Sequence, residues 1–442
     1  LSKKYGSVFT VHLGTQRTVV LCGYETVKDA LVNHGEDFSA RPEIPIFHDL
    51  TGGHGIVFSN GENWKVTRRF TLSTFRNFGM GKKLIENRIN EECDFLLEKF
   101  KSYNGLEFEN TIVINSAVAN IIMSILLGHR FDYEDPTFHT LIHFLNENIR
   151  LVVCPMVMVY NTFPSLMRWL PGSHKSLPCK AVKVQDIFKN IIIKLKAELD
   201  INNQKNLIDA FLVKQIKEEK NNNGSHFHND NLTILVFNMF IAGTITTSNT
   251  LLWGLHFMIR FPEIQQNVQK EIDKMIGSSP PRLEHRKLMP YTNAVIHEIQ
   301  RFANVVPLNL PRSTSRDVSF KGYFLPKGTF VIPLLASVLN DKEHFERPNT
   351  FYPQHFLDPD GNFVKNKALK PFSIGKRSCI GENLARTALF LFFTRLLQNF
   401  TFMSNQNTNL DPMSFTGSSD PPLLNNICAF PRTETSTTIF NE

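Results

Sequence analysis

No two cysteines in this sequence are spaced as zinc ligands or as a disulfide framework would require. Six occur, at Cys22, Cys93, Cys154, Cys179, Cys379 and Cys428, with no C-x-x-C pair among them. The pattern argues against a structural metal or a stapled secreted scaffold and fits a reducing compartment. Long apolar runs are lacking as well. No eighteen consecutive apolar residues occur, and Leu1-Ser-Lys-Lys-Tyr-Gly-Ser7 opens without a signal-like apolar region. As given, the chain is therefore expected not to span a membrane. An initiator Met is also absent, so the start is expected to be missing, together with any anchor it carried. Lys3-Lys4, Arg68-Arg69 and Lys82-Lys83 are short, scattered basic clusters. None forms an aromatic-interleaved basic stripe, which sets nucleic-acid binding aside.

Phenylalanine, by contrast, is abundant, with 38 copies against 8 Tyr and 3 Trp. Phe carries apolar area and no polar handle, so it suits the lining of a wide apolar cavity as well as a plain Phe-rich core. A net charge of +7 favours acidic partners or anionic membranes. The 442 residues allow either several average domains or one large one.

Residues 7–21 alternate around Gly14 and read as a hairpin. From Tyr24 the pattern turns helical, and 3.6-residue periodicity follows at 79–101, 111–127, 180–199, 206–219, 230–259, 262–276, 291–302 and 382–398. The stretch 305–335 is rich in Pro, Gly and β-branched residues and predicts short strands and turns, as do the last forty residues. Asn221-Asn-Asn-Gly-Ser225 is the clearest flexible loop, and nothing resembles an interdomain linker. The expectation is one mainly α body with a minor β part over residues 1–442.

The most informative segment is Pro371-Phe-Ser-Ile-Gly-Lys-Arg-Ser-Cys379-Ile-Gly-Glu382, which runs straight into a helical pattern. A cysteine just before a helix start meets backbone N–H groups and the positive end of the helix dipole. That placement lowers a thiol pKa, and the thiolate is the form that binds metal. Gly375 and Gly381 permit close backbone approach to a flat ligand. Arg377 supplies a cation for a carboxylate. A helix-capping cysteine alone is weak evidence, because most buried cysteines are inert small hydrophobes.

Here Phe372, Gly375, Arg377, Cys379 and Gly381 all match F-x-x-G-x-R-x-C-x-G. The match resembles the haem loop of the cytochrome P450 family. What the resemblance implies is a single haem domain of the cytochrome P450 fold, with haem b as cofactor, Cys379 as iron ligand and Phe372 beside the sulfur. An axial thiolate pushes electron density onto iron and favours O–O cleavage. Glu298-Ile-Gln-Arg301 and Pro353-Gln-His355-Phe356 resemble the family's structural E-x-x-R and P-x-[R/H]-F pair. Trp64-Lys-Val-Thr-Arg68 resembles its W-x-x-x-R helix, and Arg312 falls where a further propionate-binding residue is found. Without the cysteine loop, each would read as an ordinary surface pair or a snorkelling Arg. Stretches such as Gly55-Ile-Val-Phe-Ser-Asn-Gly61 and Arg76-Asn-Phe-Gly-Met-Gly-Lys82 are similar to family two of the vertebrate microsomal enzymes.

Phe240-Ile-Ala-Gly-Thr-Ile-Thr-Thr247 resembles the family's oxygen-binding A-G-x-[D/E]-T-T stretch, which makes Thr246, Ala242 and Gly243 the catalytic-side candidates. Ile245 stands at the acid position, so the usual carboxylate of the proton relay is lacking. The resemblance places the substrate pocket at Phe47, Ile56, Phe58, Phe240, Ala242, Val305, Val306 and Phe415, an apolar set suited to a xenobiotic, steroid or fatty acid. It further implies NADPH as indirect electron source, NADPH–cytochrome P450 reductase and cytochrome b5 as partners at Lys65, Arg69 and Lys376, and the cytoplasmic face of the endoplasmic reticulum membrane. Two alternatives stay open: a haem-thiolate hydroperoxide isomerase, and a non-catalytic haem sensor or carrier.

Overall fold

A computed structural model of the protein describes residues 1–78, 83–152, 154–220, 226–404 and 426–432. After one helical turn, α1 (Ser2–Tyr5), strands β1 (Val8–Leu13) and β2 (Gln16–Leu21) form the hairpin expected around Gly14. Gly14 takes φ +62°, the left-handed conformation a tight turn needs. Helix α2 (Tyr24–Lys28) continues into a π-helical turn at Asp29–Asn33, followed by α3 (Pro45–Thr51) and α4 (Gly61–Asn77). Next come α5 (Lys83–Lys101), β3 (Phe108–Glu109), α6 (Asn110–Leu126), α7 (Pro136–Val152), α8 (Pro155–Thr162) and α9 (Pro164–Met167). The central helices are α10 (Ser173–Ala197), α11 (Leu207–Glu219), α12 (Asn229–Arg260), α13 (Pro262–Met275) and α14 (Pro290–Ala303). Pro45, Pro155, Pro262 and Pro290 open their helices, where a preset φ helps and the missing N–H costs nothing.

The Pro- and Gly-rich stretch yields β4 (Arg312–Ser313), β5 (Val318–Phe320), β6 (Tyr323–Leu325) and β7 (Phe330–Pro333), then α15 (Leu335–Leu339). The chain reaches α16 (Glu382–Asn399), β8 (Phe400–Met403) and β9 (Asn426–Pro431). One sheet has the order β1-β2-β7-β4, in which β2 and β7 run parallel with Val19 opposite Val331. A smaller apolar core packs on it, around Val19, Phe38, Phe320 and Val331. The larger core surrounds α12, which packs against α6, α10, α14 and α16.

Several helices fall outside the segments that periodicity marked, α4 and α7 among them, and α10 extends beyond its own. Helix α4 buries Thr67, Thr71 and Thr74 rather than an aliphatic stripe. Helix α10 starts earlier than residue 180 because Pro178 is accommodated inside it. The absence of an unbroken apolar run also needs qualification. By length and composition α12 reaches what a membrane span needs, but 72% of its most apolar window is buried inside the protein.

Candidate functional site

The cysteine loop is held by its own backbone. Cys379 N–H donates to the Phe372 carbonyl at 3.0 Å, and Ser378 N–H donates to the Gly375 carbonyl at 3.0 Å. Gly375 adopts φ +77°, and a Cβ there would overlap the Leu31 carbonyl oxygen in the π-helical turn. This glycine serves contact between two protein segments, not the ligand approach expected of it. A Cβ on Gly381 would lie 3.9 Å from Cys379 Sγ, an ordinary contact distance, so the protein alone does not require glycine there.

Cys379 is accessible on a loop that is otherwise mostly half-buried, and protein atoms crowd around its sulfur. That burial pushes the thiol pKa up, opposed by the backbone N–H groups of Gly381 and Glu382 and by the Arg68 charge. The helix-end donors are where the sequence placed them, but desolvation outweighs them. The expected net lowering is therefore corrected to a rise in the thiol as it stands.

Four guanidiniums gather nearby. Arg377 stacks on the Trp64 ring at 3.7 Å and donates to Ser39 O (2.8 Å), Ser59 O (2.8 Å) and Asn60 Oδ1 (3.1 Å). Arg68 Nη2 donates to the Ser378 carbonyl at 2.8 Å, tying α4 to the residue before the cysteine. Arg312, on β4, is 1% exposed. Its Nε and Nη1, and Nη1 of Arg377, are buried without a hydrogen-bond partner. Burial, then the charge of Arg68, holds Arg312 down at about 9. Arg377 is likewise held at about 9 by burial and by Arg312 and Arg68. Sequence reasoning missed Arg41, which belongs to the same cluster: its pKa is lowered by burial and by Arg312, Arg377 and Arg68. It donates to Val57 O, Leu310 O and Pro311 O. The Arg41-Pro42 dipeptide sits in an irregular loop with no motif spacing to mark it.

Buried like charges with unpaired donors are costly unless an anion shares the site. A haem fits this donor set: a sulfur ligand for iron beside a buried cation cluster suited to two propionates.

Helix α12 is buried along most of its length, yet Ala242 is exposed and Ile241, Gly243, Ile245 and Thr246 are half-buried. The helix core therefore opens at the expected stretch. Thr246 Oγ1 donates to the Ala242 carbonyl at 2.8 Å. Gly243 also packs closely against α6, since a Cβ there would come 2.6 Å from Ile122 Cδ1. Phe240 is fully buried, edge-on to Phe188 of α10 at 5.5 Å.

Phe47 and Phe58 stack with ring centres 4.1 Å apart, both half-buried. Asn238 Oδ1 of α12 accepts the N–H groups of Ile56 (3.1 Å) and Val57 (3.2 Å), which fixes this loop on the distal helix. Ile56 itself is buried, and Val305 and Val306 are half-buried in the loop after α14. Phe415 lies outside the described residues, as does the 221–225 loop.

Glu298 and Arg301 form a bidentate pair at 2.7 Å for both bonds, with both side chains 0% exposed. Arg301 also donates to Leu339 O, Pro348 O and Thr350 O. His355 Nε2 accepts from Arg347 N–H at 3.1 Å, so its Nδ1 carries the proton given to Glu298 at 3.2 Å. Every donor and acceptor has a partner, as a buried ion pair requires. Lys65 pairs with Glu62 at 2.7 Å, Lys376 pairs with Glu36, and Arg69 is exposed.

The family model for cytochrome P450 matches residues 1–429. The chain is 47% identical over 436 residues to cytochrome P450 2K4 of Oncorhynchus mykiss, covering 98% of this chain and 86% of that one. It is 46% identical over 418 residues to cytochrome P450 2F2 of Mus musculus, covering 94% and 85%. With cytochrome P450 2C4 of Oryctolagus cuniculus the identity is 48% over 408 residues, covering 91% and 82%. With a cysteine loop, a cation cluster and an opened central helix set in that context, the chain belongs to the cytochrome P450 family, the haem-thiolate monooxygenases, and is similar to its family-two members.

Proposed function

We propose that Cys379 holds the haem iron, that Arg312 and Arg377, with Arg41 and Arg68 beside them, receive the propionates, and that Ala242 and Thr246 of α12 serve the oxygen side. The observation that carries this reading is the set of orphaned guanidinium nitrogens on Arg312 and Arg377, which the protein itself leaves unsatisfied. Bound haem supplies dioxygen activation and the insertion of one oxygen atom into a C–H or double bond.

The chain's own residues do the rest. The N–H groups of Gly381 and Glu382 stabilise negative charge on sulfur, and the Phe372 carbonyl holds the Cys379 backbone in place. Thr246 keeps its hydroxyl proton on the Ala242 carbonyl, and rotation about χ1 redirects it to the exposed side of the helix. Ile245 contributes no carboxylate, so the Thr246 proton is replenished through ordered water. Phe47, Phe58, Val305 and Val306 offer apolar surface to a lipophilic substrate, whether xenobiotic, steroid or fatty acid. Electrons come from NADPH–cytochrome P450 reductase, with cytochrome b5 as a second donor. Both would dock at the exposed cations Lys65, Arg69 and Lys376, on the cytoplasmic face of the endoplasmic reticulum membrane.

Ile245 also favours a second reading, a hydroperoxide isomerase that needs neither NADPH nor reductase. Product formed per NADPH consumed, with reductase and a panel of lipophilic substrates, separates the two. Monooxygenation predicts NADPH-dependent product with partial coupling, and higher coupling in Ile245→Glu. Turnover of hydroperoxide alone, with none from NADPH, would replace the first reading by the second.

A further inference from the structure

Away from the haem site, the loop after α15 brings three metal-ligating side chains together. Asp341, Glu343 and His344 each offer one donor atom, and the three atoms lie within 4.8 Å of one another. His344 marks the place as more than an acidic surface turn. Its side chain is only 10% exposed, and its Nδ1 is buried without a hydrogen-bond partner. The nearest acid atom, Asp341 Oδ2, is 3.5 Å away, beyond a good N–H···O bond. It is, however, close to the separation of two ligands on one tetrahedral ion: zinc bonds of about 2.0–2.1 Å put neighbouring donors roughly 3.4 Å apart.

Two of the three donors are already oriented. Asp341 Oδ2 accepts the Tyr24 N–H at 3.3 Å, and Oδ1 accepts the Glu343 N–H at 3.0 Å. The Tyr24 ring meets the His344 imidazole edge-on at 5.0 Å, while Asn366 Nδ2 donates to the His344 carbonyl at 2.7 Å. Such outer contacts fix ligand orientation in metal sites. Glu343 is exposed and free to close over an ion, leaving one position for water.

We propose that Asp341, Glu343 and His344 form a binding site for a divalent cation of the zinc class. One imidazole with two carboxylates suits Zn²⁺ or Co²⁺ better than the all-oxygen set that Ca²⁺ or Mg²⁺ prefers. An ion there would brace the loop whose Leu339 carbonyl and Asn340 side chain anchor Arg301, at 3.0 and 3.4 Å. Its effect is therefore on the scaffold, and the oxidation chemistry does not depend on it.

The test is equilibrium dialysis of the haem-loaded full chain against zinc chloride, with bound metal read by atomic emission. The expected result is one zinc per chain, with a higher melting temperature. In Glu343→Gln and His344→Gln, affinity should fall by roughly tenfold or more while the haem spectrum is kept. Glu343 is exposed, so its variant decides the matter even if His344→Gln folds poorly. Native protein that binds no zinc overturns the proposal. So does zinc retained equally by both variants, which would place it at Cys179 or another surface group.

Discussion

Arg312 shows most sharply what the site demands, because the protein buries its guanidinium and leaves two of its nitrogens without acceptors. Removing one of several clustered buried cations should relieve repulsion when no anion is bound. Arg312→Met is therefore expected to keep or slightly raise the melting temperature of haem-free protein while lowering haem retention several-fold. Haem-free protein that melts lower, with haem held as tightly as in the native chain, would contradict the anion-site reading. Single residues were legible where spacing carried a pattern: motif positions marked the buried Glu298–Arg301 ion pair and singled out Cys379 and Arg377 on one loop. The packing of Gly375, Gly243 and Phe240 was not legible, because what each touches, Leu31, Ile122 and Phe188, comes from a distant segment. Arg41 had no local pattern to betray it.

Among the elements, α12 matters most. It must be buried to organise the core and open where a substrate is to be reached, and the sequence meets both needs with small residues in a Phe- and Leu-rich helix. Gly243 lets α6 approach closely. Gly243→Ala should overpack against Ile122 by about 1–3 kcal/mol, offset by about 1 kcal/mol of helix propensity, for a net loss of up to about 2 kcal/mol. Ile122→Ala made together with it should recover part of the loss, a coupling that urea denaturation of the single and double variants would measure. Additive losses would mean the two side chains do not share that space. Helical periodicity located α12 within a residue or two, since an apolar pattern this long has no competing reading. It failed for α4, whose buried face is threonine, and it carries no information on the parallel β2–β7 pairing, which joins segments some three hundred residues apart.

At the scale of the whole molecule, acid sensitivity follows from two buried histidines. Burial, with Arg286 and Arg386 nearby, pushes His297 down to about 3, and burial with Arg260 nearby pushes His256 to about 4. Their folded pKa values lie below the ordinary 6.5, so the unfolded chain binds more protons in between. The stability they contribute is complete above pH 6.5 and is lost as pH falls from about 6.5 to about 4 for His256 and to about 3 for His297, by about 1.4 kcal/mol per pH unit for each. Urea midpoints at pH 7 and pH 5 should differ accordingly, and His297→Gln should flatten the slope. An unchanged slope would mean that His297 is not held neutral by the fold. The mainly α architecture was legible as a whole, because helix-length periodicity dominates the chain; the depth of burial that sets these pKa values was not.

The roles proposed for Cys379, the arginine cluster and Thr246 depend on a thiolate-held haem, and the carbon monoxide difference spectrum of the dithionite-reduced protein tests that most directly. A strongly red-shifted Soret band in the native protein, lost in Cys379→Ala, is the predicted result. A band at the histidine-haem position, or one that survives in Cys379→Ala, would contradict the assignment of Cys379 and the site built around it.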